Sequence, residues 1–175
     1  MKALKGIIIG IILVFSIGVV VFLGLSLYAY SNLKYYSVYY AQQMPHKEGT
    51  EPDLVMLIEN MGSIYTPKIE GIRYDDGRNF IENSTNLTGK PTNFDELIGG
   101  YGYSDQNDVT YKFNKNFSLE WAIDKDYKKI DLATVDEKKI KEEIRETVQP
   151  VLDVQSKPLI NLQWLFNKMY QDRFN

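Results

Sequence analysis

The sequence predicts an α+β protein: an N-terminal transmembrane helix, then a small domain in which an antiparallel sheet of about five strands is packed by helices. Three observations carry this reading. Residues 6–30 form one uncharged apolar run. Residues 109–123 alternate apolar and polar side chains around a turn, the period of a half-buried strand pair. Residues 134–172 return to helical spacing, and segregated strand and helix runs of this kind pack as helices on an antiparallel sheet.

The apolar run, GIIIGIILVFSIGVVVFLGLSLYAY, contains only two serines and two tyrosines as polar residues. About 20 helical residues span a hydrocarbon core of about 30 Å. Residues 6–30 are therefore expected to engage the lipid bilayer as a span. Lys2, Lys5 and the α-amino group precede the run, and only Lys34 and Lys47 follow closely, which predicts a cytoplasmic N-terminus and an outer location for the rest. A cleavable signal peptide would have an apolar core of about 7–15 residues and small residues at the cut. Leu27 at the outer position of Leu27-Tyr28-Ala29 argues for an uncleaved anchor instead.

The chain has no cysteine, which excludes disulfides, thiolate chemistry and lipidation of a cysteine; an exported domain without them fits a bacterial surface. Three glycosylation-type triplets, at Asn83, Asn86 and Asn116, are read as chance matches of a short pattern. Beyond residue 40, 17 Lys and Arg face 23 Asp and Glu, a net charge of −6. That balance argues against a phosphate-binding surface, so no nucleic-acid partner is expected.

Six of the thirteen tyrosines lie in YAYSNLKYYSVYYAQQ, residues 28–43. Tyr28 and Tyr30 suit the membrane interface, whereas Tyr35, Tyr36, Tyr39 and Tyr40 form i,i+4 pairs on a helix continuing to about residue 43. Pro45 disfavours helical geometry at the residue before it. The expected organisation is an anchor with its juxtamembrane helix (1–43), a linker (44–50) and an extracytoplasmic domain (51–175).

Within that domain, Thr50 is expected to cap a helix over 51–61 with one buried face, begun by Pro52 and Asp53. Asp76-Gly77 reads as a hairpin turn and 82–92 as a polar loop. NFDELI, 93–98, reads as a short helix ended by Gly99-Gly100. Val109, Tyr111 and Phe113 face Phe117, Leu119, Trp121 and Ile123 across a turn at 114–116, with Phe117 and Trp121 expected in the core, and a further strand is expected at 127–133. Thr134 and Glu137 have capping-box spacing for the next helix, which should break at Gln149-Pro150. A last helix over 157–172 carries Leu159, Leu162, Leu165, Phe166, Met169 and Tyr170, expected to pack on the sheet.

Few groups could do chemistry. His46 is the only histidine and sits in the linker, so neither a His-based triad nor a zinc site can be assembled. Asp124-x-Asp126 begins like a calcium loop, but Lys128, Lys129 and Val135 occupy positions that need a ligand, a glycine and a glutamate. Ser104, Asp105, Asn107 and Asp108 read as turn formers rather than cation ligands. Glu120 and Asp131 are read as wet-face residues, and Gly99-Gly100-Tyr101-Gly102-Tyr103 lacks phosphate-loop spacing. No catalytic, cofactor or metal residue is assigned. The expected function is protein–protein contact by a tethered domain, as an envelope or secretion component or an immunity-type inhibitor. The alternatives are a carboxylate-dependent surface hydrolase or a ligand-binding sensor. Candidate partner contacts are Tyr35, Tyr36, Tyr39, Tyr40, Tyr101, Tyr103 and Trp164.

Overall fold

The computed structural model describes residues 2–84 and 92–175. Its elements run α1 (Lys2–Tyr35), α2 (Ser37–Gln43), α3 (Pro52–Glu59), β1 (Ile72–Asp75), β2 (Phe80–Asn83), β3 (Thr92–Leu97), β4 (Gly100–Ser104), β5 (Thr110–Asn114), β6 (Leu119–Ile123), α4 (Glu137–Leu152) and α5 (Gln163–Phe174). The six strands form one antiparallel meander in sequence order. The predicted polar loop at 82–92 lies for the most part outside the described residues.

Helix α1 contains a segment, Ile8–Tyr35, long and apolar enough to cross a membrane. Beyond it the chain stays helical apart from a kink at Tyr36 (φ −103°, ψ 19°). Helix α3 is buried on nearly every side, from Pro52 through Ile58, rather than on one face. The continuous run Leu54-Val55-Met56-Leu57-Ile58 has no polar stripe to turn outward, and a helix apolar all round belongs inside. It packs against α2, β3 and α4. Thr50 does not cap it: the N-cap residue is Glu51, and the Thr50 hydroxyl donates to the Lys47 carbonyl.

The inner face of the sheet supplies Ile81, Phe94, Tyr101, Tyr103 and Phe113 to the same core. The segment read as a short helix is strand β3. Phe94 is its one deeply buried side chain, and it pairs with Ile81 on β2 and Tyr103 on β4. The glycines after it serve a hairpin, with Gly99 at φ +81°. A third meander strand at 127–133 does not form. That segment makes only an isolated bridge between Ile123 and Lys129, then a 3-10 turn at Leu132–Thr134 capped by Asp131.

Three hairpin turns repeat one device. Asp105, Asn114 and Asp124 each accept, through one side-chain oxygen, from the amides two and four residues on, at 2.8–3.0 Å. In each turn the residue three positions on, Asp108, Phe117 or Tyr127, has positive φ near 60°. This is a tight turn closed by a left-handed residue, with the Asx side chain holding the amides. It explains the cation-like spacing at 124–126 and 105–108 without a cation.

The sheet also carries a bulge. Lys112 pairs with Trp121 but Phe113 pairs with Leu119, leaving Glu120 extra. One additional residue reverses side-chain parity. Trp121 therefore points outward, 38% exposed, and Ala122 takes the core position, so the expectation of a core Trp121 is overturned.

Two helix boundaries also move. Asp136, not Thr134, caps α4 by accepting from the Lys139 amide, and α4 runs through Pro150 to Leu152. Pro150 lies in the final turn and has no N–H to give the Glu146 carbonyl, yet the Asp153 amide still bonds the Gln149 carbonyl and closes the helix. Helix α5 starts only at Gln163; Pro158 is buried in the preceding segment, while Leu159 faces outward.

Candidate functional site

The most developed arrangement of polar and aromatic groups lies where the apolar helix meets the domain. Asn32, one turn after Tyr28, is buried at the end of α1. Its Oδ1 accepts from the Tyr40 hydroxyl at 2.6 Å, and its Nδ2 donates to the Ile160 carbonyl at 3.2 Å. The Leu162 amide in turn donates to the Tyr40 hydroxyl at 3.0 Å, and Gln163 Nε2 donates to the Tyr40 carbonyl at 2.8 Å. The Tyr40 ring lies 5.4 Å from Phe166. One tyrosine therefore ties α1, α2 and the start of α5 together.

Sequence spacing explains how this forms. Asn32 and Tyr40 are eight residues apart, so a nearly continuous helix stacks them on one side about 12 Å apart by rise. The kink at Tyr36 and the long phenol close that gap. Leu33, Val38, Ala41 and Met44 on the same segment enter the core beside α3. Residues 33–44 thus share the hydrophobic core of the domain.

The other candidate side chains divide between surface and interior. Tyr36 and Tyr39 are half-buried against the core, and Tyr35 is exposed with its ring edge-on to Tyr36 at 4.8 Å. Trp164 is 67% exposed on α5. Tyr101 and Tyr103 are both buried and make their contacts inside the domain. The Tyr101 hydroxyl donates to Glu59 Oε1 at 2.6 Å and accepts from Arg173, whose guanidinium also meets both Glu59 oxygens at 2.9 and 3.1 Å. This triad fastens α5 to α3 and β4.

A second ionic fastener was not read from the sequence. Arg145 holds both oxygens of the buried Asp53 at 2.9 Å and reaches Glu51 at 2.5 Å. Its signal was that Arg145 is the lone arginine on a helix rich in lysine and glutamate, and a planar fork is the group suited to a bidentate carboxylate. Beside it, a cleft of about 650 Å³ runs between the linker and α4. Two of its cations are held in ion pairs: Lys141 with Glu137 at 2.6 Å, and Arg145 with Glu51 and Asp53. Paired charges of this kind bind the linker to the domain.

A third cluster gathers Tyr103, Asp105, Tyr111 and Glu143 at the opposite end of the sheet. Asp105 spends Oδ1 on the turn amides, while Oδ2 lies 3.5 Å from the Tyr111 hydroxyl. Burial, aided by Asp105, pushes the Tyr111 phenol up to about 12, and burial pushes Tyr101 and Tyr103 higher still. Burial also raises the Glu143 carboxyl. Among the described residues, no three His, Asp or Glu side chains are placed to hold a metal. His46 is exposed, with Nδ1 3.1 Å from both the Lys47 carbonyl and Thr50 Oγ1. Asp131 accepts from the Ala133 amide, so it caps a turn rather than facing Glu120 across a sheet.

No protein-family model, no curated protein and no solved structure matches the chain.

The raised phenols have a consequence for stability. A phenol whose folded pKa exceeds its unfolded value of about 10 supports the fold at lower pH, and that support disappears as pH rises through the folded value. For Tyr111 the loss falls between about 10 and about 12. Protein lacking residues 1–30 is expected to lose stability cooperatively in that window. Tyrosinate absorbance and circular dichroism should change together; tyrosines titrating fully while the dichroism stays native would refute it.

Proposed function

We propose that the chain is a single-pass membrane protein whose extracytoplasmic domain acts by binding another protein, as an envelope or secretion-system component or an immunity-type inhibitor. The observation that carries this reading is the Asn32–Tyr40–Ile160 joint. It fixes the height and orientation of the domain relative to the apolar helix. A fixed pose serves an assembly partner in or on the same membrane, whereas reaching a diffusing substrate asks for a flexible tether.

The sheet offers a contact point. The β3–β4 turn presents Ile98, fully exposed, beside Leu97. It lies over a hollow of about 360 Å³ lined in part by Glu59, Arg78, Asn79 and Lys115. An apolar tip rimmed by charges of both signs is the anatomy of a small protein contact. The hydrolase and sensor readings find less support: in the cleft beside α4, Glu51 and Glu137 are engaged in ion pairs, and most of the lining residues are charged or polar.

The test uses the absence of cysteine. In intact cells, Asp126→Cys is expected to react with a membrane-impermeant maleimide; labelling only after lysis would overturn the orientation. A photo-crosslinking residue at position 98 should yield a discrete protein adduct that one at position 126 does not. Equal or absent adducts at both positions would overturn a partner site at the β3–β4 tip.

A further inference from the structure

The segment between α4 and α5 leaves large apolar side chains uncovered: Leu159 is 95% exposed, Ile160 52% and Trp164 67%. The backbone that carries them is firmly held. Pro158 is buried, the Ile160 carbonyl accepts from Asn32, and the Leu162 amide donates to Tyr40. A fixed backbone that turns a proline inward and a leucine and isoleucine outward is a presenting surface rather than a frayed end.

Its position names what it faces. Asn32 lies two residues past Tyr30, where the apolar run ends, a rise of about 3 Å. The polar zone on each side of the hydrocarbon core is about 7 Å deep. The Ile160 carbonyl, 3.2 Å from Asn32, is therefore held at headgroup level, continuous with the end of the apolar helix.

Charge agrees with that placement. The chain beyond residue 40 carries net −6, yet residues 154–171 contain no acidic residue and two lysines, Lys157 and Lys168. The stretch that carries Ile160 and Trp164 is thus free of acidic groups. Tryptophan prefers that boundary, and lysine beside apolar side chains can reach headgroup phosphates.

We propose that Leu159, Ile160 and Trp164 form a second membrane contact, dipping into the headgroup–acyl boundary of the bilayer that α1 spans. The contact rests on α1 being a membrane anchor. It gives the domain a second point of support and so fixes its tilt as well as its height. Apolar side chains at this depth gain by burial, and two contacts on one rigid body reinforce each other.

The test reconstitutes the full chain in phosphatidylcholine–phosphatidylglycerol vesicles. Trp121→Phe leaves Trp164 as the sole tryptophan; Trp164→Phe leaves Trp121, on the outer face of the sheet. Trp164 emission is expected to fall at least two-fold with lipids brominated near the headgroup and to resist aqueous acrylamide. Trp121 should show the reverse. A nitroxide on Leu159→Cys gives an independent reading, expected to favour oxygen over a water-soluble nickel chelate as relaxant. If the protein fails to float with the vesicles, the anchor reading falls. If it floats while Trp164 and position 159 report water, the second contact is overturned and the anchor stands.

Discussion

Removing residues 1–30 is expected to leave a folded, soluble domain, whereas removing residues 1–43 is expected to abolish folding. The longer deletion takes Leu33, Val38, Tyr40 and Ala41 from the core. Losing buried Leu33 and Val38 costs about 1.5–3 kcal/mol each and losing a buried aromatic such as Tyr40 about 3–5 kcal/mol. That total approaches the whole stability of a small domain, about 5–15 kcal/mol. It also strips α3 of its cover, exposing a helix that has no polar face to show water. The shorter deletion keeps Asn32 and every contact of Tyr40, losing only the 3.4 Å contact to Tyr28 at this joint. Circular dichroism, gel filtration and urea titration of the two proteins decide it. Cooperative unfolding of the 44–175 fragment would show that α2 is an accessory and not part of the core.

The tyrosines at 35–40 were legible as a helical joint because their spacing and Pro45 fix a helix ending near 43. What they dock on was not legible, since Ile160 and Leu162 lie some 120 residues away and contribute backbone atoms, which carry no sequence signature. Strands β5 and β6 announced themselves by alternation. Strand β3 did not: Asn93-Phe94-Asp95-Glu96-Leu97 offers one deeply buried side chain, and a Gly-Gly step ends a helix as readily as it turns a hairpin. Trp121 failed for another reason. Periodicity assumes an unbroken register, and the bulge at Glu120 displaces every side chain after it by one face. The ion pairs failed because Arg145 and Asp53 are 92 residues apart, and charge on a solvated-looking helix does not reveal which residue turns inward.

The glycines of β4 separate into one that the sheet requires and one that it prefers. A Cβ built on Gly100 would lie 1.9 Å from the Phe113 carbonyl oxygen and 3.1 Å from the Asn114 Cα, both backbone atoms of the paired strand. Neither can rotate aside, so Gly100→Ala must part β4 from β5 at the Gly100–Asn114 and Tyr101–Phe113 pairs. The disturbance reaches Tyr101 directly, and with it the Glu59–Arg173 fastener that holds α5. Overpacking a core typically costs about 1–3 kcal/mol, and a clash with a strand's backbone belongs at or above the top of that range. At Gly102 the nearest atoms are Asp95 Oδ1 at 2.6 Å and Leu97 Cδ1 at 2.7 Å, ends of side chains that can swing away on the outer face of the sheet. Gly102→Ala should therefore cost about 1 kcal/mol, near the low end of the same range. Measured by urea titration of the 31–175 domain, Gly100→Ala is expected to lower stability at least twice as much as Gly102→Ala. Equal losses would mean that β4 shifts as a unit to admit a methyl group, so that the pairing of β4 with β5, rather than the side chains packed on it, is the pliant part of the sheet.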